Sequence, residues 1–305
     1  MLNIKIIYNE VFVLPIFDRI NDLVPTELEG TEQYLDLCTW NIKFFTAKPR
    51  RIETITSIMK EINADIYVLQ EIADGAMDEV VHQLNLSGEH SYKVVYGKTG
   101  GDIRVTFMYD LEKVRAKQDI EELFQNERII AENGIEAFPR LPLHGRFQVT
   151  HNVTDPFDFE LVGVHLKSQR GNGWEQRKKA AEKLVDWIQT KAQDEDVIIA
   201  GDFNAPPGRR EWKPFEELEE KGEILFKSFN PNGELSHLSG SRLDCILITD
   251  NVNEASIDSS TTVIRWKEIL DGELYSRYKQ KIHDEISDHL PVVSRFSFSN
   301  RDEND

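Results

Sequence analysis

Nine short runs rich in β-branched and aromatic residues punctuate this 305-residue chain, and they restrict its fold more than any other feature. They lie at 34–42 (YLDLCTWNI), 65–70 (DIYVLQ), 92–97, 103–110, 146–153, 159–166, 196–202, 242–249 and 290–298. Each has the length and composition of a strand. Strong helical periodicity occurs at 50–62, where Ile52, Ile55, Ile58, Met59 and Ile62 share a face, and at 173–191, where Ala181, Leu184, Val185 and Ile188 do so. Nine strands with so few helices between them do not alternate as a doubly wound parallel sheet requires. The stretch 147–166 reads as a hairpin turning through TDPFD. The expectation is an α/β chain of mixed sheets packed face to face, with helices outside.

Composition narrows the class. Hydrophobic residues at 40% and charged residues at 30% suit a globular core in water, and no apolar run has the length of a membrane span. The opening MLNIKIIYNEVFVLPIF is interrupted by Asn9, Glu10 and Asp18, and reads as a docking segment rather than an export signal. Cys38 and Cys245 both sit in apolar runs as buried free thiols, which together points to the cytoplasm. The expected division is an N-terminal extension (1–34), one domain (35–299) and a short tail (300–305). Within it, 111–137 reads as a polar loop or short helix, and 251–285 as an insertion over one edge. The net charge of −18 argues against a broad electrostatic grip on nucleic acid, while leaving room for a local basic patch.

Polar residues recur where strands end: Asn41, then Gln70 and Glu71, His165 and Lys167, Asp202 and Asn204, Asp244, and the pair Asp288 and His289. Any one alone is an ordinary turn former or cap. Together they gather at one mouth of a sandwich. Glu71 with Asn41 or Asp288 offers the hard oxygens that Mg²⁺ or Mn²⁺ prefers, and no Cys/His spacing of a zinc site is present. His82, His90 and His151 are read as structural. The Gly100–Gly101 pair reads as a hairpin turn, and Trp174 and Trp266 as helix-packing residues.

The ordered blocks TWNIKFF, ADIYVLQEI, VHLKS, IIAGDFNAPP, SRLDCILIT and SDHLPV resemble the signature of the endonuclease/exonuclease/phosphatase superfamily, from about Leu35 to Phe298. The resemblance implies the deoxyribonuclease I-like fold, a four-layer α/β sandwich of two packed mixed β-sheets with flanking helices. It further implies Asn41, Glu71 and Asp288 on the metal side, with Glu71 the principal ligand of Mg²⁺ (or Mn²⁺). Asp202 would orient or deprotonate the attacking water with Asn204 as its partner. His289, held by Asp244, and His165 would contact the scissile phosphate. Arg140, in AFPRLPLHGRF, together with Lys167 and Arg170, would bind substrate phosphate. Two departures weigh against an apurinic-site repair enzyme: Lys43 stands where those enzymes carry an acid, and VHLKSQRGN replaces their tyrosine-bearing block.

The function expected is metal-dependent phosphodiester hydrolysis by in-line water attack, with a nucleic acid as substrate. A small or lipid phosphoester is the alternative, mildly favoured by the acidic composition. A catalytically dead binding module ranks last, because Glu71, Asp202 and His289 are all present.

Overall fold

All nine runs become strands, and four shorter ones join them. The computed structural model describes residues 23–151, 156–171, 173–226, 235–255, 257, 262–270 and 272–298. The strands are β1 (Leu35–Phe45), β2 (Ile66–Ile72), β3 (Tyr92–Tyr96), β4 (Arg104–Asp110), β5 (Val114–Ala116), β6 (Glu121–Glu122), β7 (Leu143–Val149), β8 (Asp158–His165), β9 (Val197–Asp202), β10 (Ile224–Phe226), β11 (Asp244–Thr249), β12 (Thr262–Val263) and β13 (Val292–Phe296). The helices are α1 (Pro49–Ile62), α2 (Asp78–Asn85), α3 (Gly173–Thr190), α4 (Lys213–Glu220), α5 (Asp250–Ala255), α6 (Trp266–Ile269) and α7 (Gly272–Lys281).

They build a four-layer α/β sandwich. One sheet runs β12-β13-β1-β2-β4-β3; the other runs β10-β11-β9-β8-β7-β5, with β6 also on β7. Each is mixed for the same reason. A helix crosses over between β1 and β2 and another between β8 and β9, making those pairs parallel, while the other pairs are antiparallel. The ends of β1, β2, β8 and β9 therefore leave the sandwich at one pole, and β11 and β13 run the opposite way and begin there.

Period-two alternation sorts the core into layers. Leu161, Ile198, Ala200, Ile246 and Ile248 face the opposite sheet. Val162, Val164, Val197, Ile199, Cys245 and Leu247 face α3 and α4. Ile52, Ile55, Ile58, Met59 and Ile62 of α1 are all buried, as their spacing predicts. In α3 the buried face includes Trp187 as well as Ala181 and Leu184, whereas Val185 and Ile188 sit at its margin. Both cysteines are free and buried.

Three regions differ from or refine the sequence reading. The polar stretch 111–137 contributes two short strands, β5 and β6, which cover the edge of β7. Val114 and Glu122 are buried despite their polar neighbours, so the periodicity is too short to register as a strand. Residues 23–34 pack on the domain: Leu23 and Val24 are buried, and Gly30 N–H donates to Ile62 O. The 251–285 segment supplies β12 to the sheet edge and buries Trp266 edge-on against Trp40, with ring centres 6.2 Å apart. Residues 154 and 155 of the TDPFD turn lie outside the described residues, but its flanking strands β7 and β8 pair antiparallel as expected. Gly100 and Gly101 turn between β3 and β4, both with positive φ.

Gly163 in β8 marks the closest approach of the sheets. A Cβ there would lie 2.6 Å from Phe107 and 2.8 Å from Val105. Gly163→Val is expected to destabilise the fold by about 1–3 kcal/mol or more through overpacking, read from the urea unfolding midpoint.

Candidate active site

Asp202 ends β9 at the centre of its sheet, with His165 of β8 and Asp244 of β11 beside it in register on either flank. Gly201 makes that row possible. A Cβ there would be 2.0 Å from Val164 O, and its φ of 149° suits glycine. Beyond Asp202 the chain turns sharply. Asn204 adopts φ 56°, its N–H donates to Asp202 Oδ1 at 2.8 Å, and its Nδ2 donates to Asp202 Oδ2 at 3.1 Å and Leu166 O at 3.2 Å. Phe203, stacked on Trp212 with ring centres 4.9 Å apart, anchors this turn from the core side. Packing beneath and side-chain hydrogen bonds above thus hold the GDFN segment.

The opposite sheet brings its own residues to Asp202. Asn41 Nδ2 donates to Asp202 Oδ2 at 3.0 Å and lies 3.5 Å from Glu71 Oε1. Asn41 Oδ1 accepts the Lys43 N–H. Both strands bulge here: the register of β1 shifts between Asn41 and Phe45, and that of β2 against β4 between Leu69 and Ile72. Lys43, Phe44 and Glu71 all have positive φ, a conformation that side-chain-bearing residues hold only when their surroundings enforce it. Phe44 N–H then donates to Glu71 Oε2 at 3.0 Å.

Arg51 of α1 enforces this conformation. Its Nη1 donates to the carbonyls of Lys43 and Phe44, its Nη2 to those of Ile42 and Ile286, and its Nε to that of Glu285. All five N–H groups of the guanidinium can be used on main-chain carbonyls. One side chain thereby ties the β1 bulge to the π-helical turn Ile282–Ile286 that leads into Asp288 and His289. Ser287 tightens the same junction, donating to Asn41 O and accepting the His289 N–H. Trp40 Nε1 donates to His289 O.

Two histidines face Asp202 in different charge states. His289 Nδ1 lies 2.8 Å from Asp244 Oδ2, and its Nε2 lies 3.8 Å from Asp202 Oδ2. Burial alone would lower the pKa of His289, but the carboxylates of Asp244 and Asp202 outweigh it and raise it to about 10, so the ring is cationic at neutral pH. His165 Nδ1 accepts from Arg140 Nη1, which leaves Nε2 as the protonated nitrogen, 3.4 Å from Asp202 Oδ2. Burial, with Arg140 and His289 nearby, holds His165 far below its ordinary pKa and keeps it neutral. Burial also pushes the Asp202 carboxyl up to about 7, against the pull of His289 and the amide donors.

A divalent cation fits Glu71 better than it fits the buried row. The Glu71 side chain is 17% exposed; its non-backbone neighbours are Asn41 and His165, the latter at 3.8 Å, and among the described residues no lysine or arginine pairs with it. Such a carboxylate, attracted by Arg51 and Arg140 at a distance but in no ion pair with either, and open to the mouth, suits a hard cation. Asp202, Asp244 and His289 also bring ligand atoms within 4.8 Å of one another, but the imidazolium proton already offsets one of the two carboxylates. Asp288 lies at the margin of the row: it, His237 and His289 bring ligand atoms within 4.8 Å of one another, and its Oδ2 is 3.9 Å from Lys43 Nζ, 3.8 Å from His237 Nε2 and 3.7 Å from His283 Nε2.

The structure thus gathers Asn41, Glu71, His165, Asp202, Asn204, Asp244 and His289 around one point, with Arg140 behind His165. Lys167 is half-buried and reaches Ser168, and Arg170 is exposed on the loop after β8. His237, His283, Arg51 and Ser287 were not singled out from sequence. Lys43 was marked only as a departure from a related pattern, and its pairing with Asp288 and His283 depends on contacts across some 240 residues.

The four-layer sandwich gathers an Asn, Glu, Asp and His constellation at one pole. The Endonuclease/Exonuclease/phosphatase family model matches residues 38–289, and the chain belongs to that family. Its members hydrolyse phosphoric esters and depend on divalent metal. Among solved structures, the chain is similar to an endonuclease/exonuclease/phosphatase from Bacteroides vulgatus, at 13% identity and TM-score 0.59 over 88% of this chain and all of that one. It is also similar to the human Nocturnin catalytic domain with bound sulfate, at 17% identity and TM-score 0.59 over 89% and 96%. A third is D. rerio TDP2 complexed with a single-strand DNA product, at 17% and 0.59 over 87% and 99%. No curated protein matches the chain by sequence. Among the described residues no helix is long and apolar enough to cross a membrane.

Two measurements test this geometry. His289 has a raised pKa in the folded state, so its contribution to stability is complete below about 6.5 and is lost as pH rises through about 10. Asp244→Asn should lower the His289 pKa, followed by NMR titration of the imidazole, and flatten the alkaline loss of stability. Arg51→Lys keeps the charge but has three donors for five carbonyls, and should cost roughly 1–3 kcal/mol in denaturant unfolding.

Proposed function

We propose that this protein is a divalent-metal-dependent phosphodiesterase that cleaves nucleic acid, DNA or RNA, by in-line attack of water. The observation that carries the reading is the convergence on Asp202 Oδ2 of Asn41, Asn204 and two histidines, one cationic and one neutral, beside the carboxylate of Glu71. Asp202 is the base: a carboxyl raised to about 7 can accept a proton from water at neutral pH. Asn41 and Asn204 fix its plane, so the attacking oxygen is aimed rather than merely activated. His289, cationic and backed by Asp244, and His165, neutral with Nε2–H outward, donate to the phosphoryl oxygens as charge builds there. Arg140 holds the His165 tautomer and adds positive charge behind it.

Glu71, with Asn41 beside it, would hold Mg²⁺ or Mn²⁺, which when bound supplies neutralisation of phosphoryl charge and a more acidic water. Asp288 is assigned a place at the margin of that site, already partly compensated by Lys43. Lys167 and Arg170 are assigned to substrate phosphates further along the mouth. The two buried free thiols fit a cytoplasmic location. A small or lipid phosphoester is the second reading, favoured by the net charge of −18, which would repel a long polyanion.

The test is hydrolysis of supercoiled plasmid, single-stranded DNA, RNA, bis(p-nitrophenyl) phosphate, sphingomyelin and inositol phosphates with Mg²⁺ or Mn²⁺. Asp202→Ala should lower kcat by about 10³-fold, and Glu71→Gln should raise the metal concentration for half activity at least roughly tenfold. Chelator should abolish turnover. Cleavage that survives both Asp202→Ala and chelator would overturn the mechanism, and turnover confined to lipid or inositol esters would replace the substrate.

A further inference from the structure

The side chain of Phe44 does no work for the fold. The residue is 59% exposed and packs on neither core cluster, whereas Phe45 beside it is buried with the Arg51 guanidinium over its ring. One exposed apolar side chain is ordinary on a protein surface. Its main chain is not ordinary. A φ of 46° is a conformation that bulky residues avoid and that glycine or asparagine takes readily. What the β1 bulge needs at this position comes from the backbone alone. The Phe44 N–H donates to Glu71 Oε2 at 3.0 Å, and the Phe44 carbonyl accepts from Arg51 Nη1 at 3.0 Å. Glycine would make both bonds with less strain. The ring therefore adds cost without adding contact inside the protein.

The place of the ring gives it a use. The residue whose amide holds Glu71 also carries the phenyl group, so the ring stands at the rim of the mouth beside the carboxylate that suits a metal. Arg51 holds the carbonyls of both Lys43 and Phe44, which fixes the backbone from which the ring projects. Thr46, Lys48 and Arg50, which follow it, are exposed and polar. The other large apolar side chains exposed among the described residues, Leu86, Leu111, Ile135 and Leu235, come from other segments. A lone ring in polar surroundings is not the apolar face that a lipid surface requires, but it offers the flat π-face on which a nucleobase stacks.

We propose that Phe44 stacks on the base of the nucleotide whose phosphate enters the site, and thereby selects single-stranded nucleic acid. The inference rests on the phosphodiesterase reading above and decides among the substrates it allows. In a duplex each base is already paired and stacked, and freeing its face costs energy. An unpaired base presents that face at once, and every base has one, so the contact tolerates any sequence. A polyol phosphate has no such face.

The experiment measures binding, by fluorescence anisotropy in EDTA at low salt, of labelled pentathymidylate and of an abasic strand of the same length built on tetrahydrofuran. The two strands carry the same phosphates and differ only in their bases. Wild type should bind the thymidylate at least about fivefold more tightly, as expected for one stacked base, and Phe44→Ala should bring the ratio to about one. Phe44→Trp should keep the preference, and its added indole fluorescence should be quenched by the thymidylate and not by the abasic strand. Equal binding of the two strands by wild type, a preference that survives Phe44→Ala, or an unquenched Phe44→Trp variant overturns the assignment. Binding to phosphatidylserine vesicles that Phe44→Ala abolishes, without any preference for bases, would put a lipid surface in place of the base. Mg²⁺-dependent cleavage of the thymidylate, lost in Asp202→Ala, reports on the hydrolase reading separately. Cleavage without base preference removes the role of Phe44 alone, and base preference without cleavage removes the hydrolase reading alone.

Discussion

An almost fully buried carboxylate is tolerated only where donors surround it, and Asp202 sets that condition for this fold. Its donors come from β1, from the turn after β9, from the end of β8 and from the segment before β13. No two of these are close in sequence except Asp202 and Asn204. Satisfying one anion therefore requires both sheets, in register and at a fixed separation. Gly163 sets the separation and Gly201 the register, which is why a missing side chain matters in both places.

A second requirement follows from the strained main chain opposite. Lys43, Phe44 and Glu71 each occupy a left-handed conformation costing on the order of 1–3 kcal/mol. Arg51 offsets this cost with three hydrogen bonds to bulge carbonyls and two more to those of Glu285 and Ile286. The result is a Glu71 carboxylate directed toward Asn41 and away from the ladder. Rigidity at Asp202 and strain at Glu71 are thus complementary: one side of the mouth is held by packing, the other by a single cation.

Much of this was legible in the sequence because it is local. Nine strands, the faces of α1 and the clustering of polar residues at strand ends follow from periodicity and from short ordered blocks. The short strands β5 and β6 were not, since two or three residues carry no period. Trp187 sits at helical spacing after Leu184 on the buried face of α3, and His144 of β7 meets its ring edge-on. His237, His283 and Arg51 lie in segments whose local patterns signal only a loop, a polar helix and a helix start. Their significance arises from contacts across long sequence separations, which pattern reading does not supply. Lys43 was visible as an oddity, and its partners Asp288 and His283 were not.

The placement of β13 carries a consequence for how the site comes into being. This strand does not sit at an edge; it fills the slot between β12 and β1 inside the first sheet. His289, the residue that answers Asp202 across the mouth, immediately precedes it. A growing chain in which β1 to β11 have already emerged therefore holds Asp202 and Glu71 but lacks the charge that faces them. The site is complete only once the last strand pairs beside the first, so a nascent chain that lacks β13 has no imidazole facing Asp202.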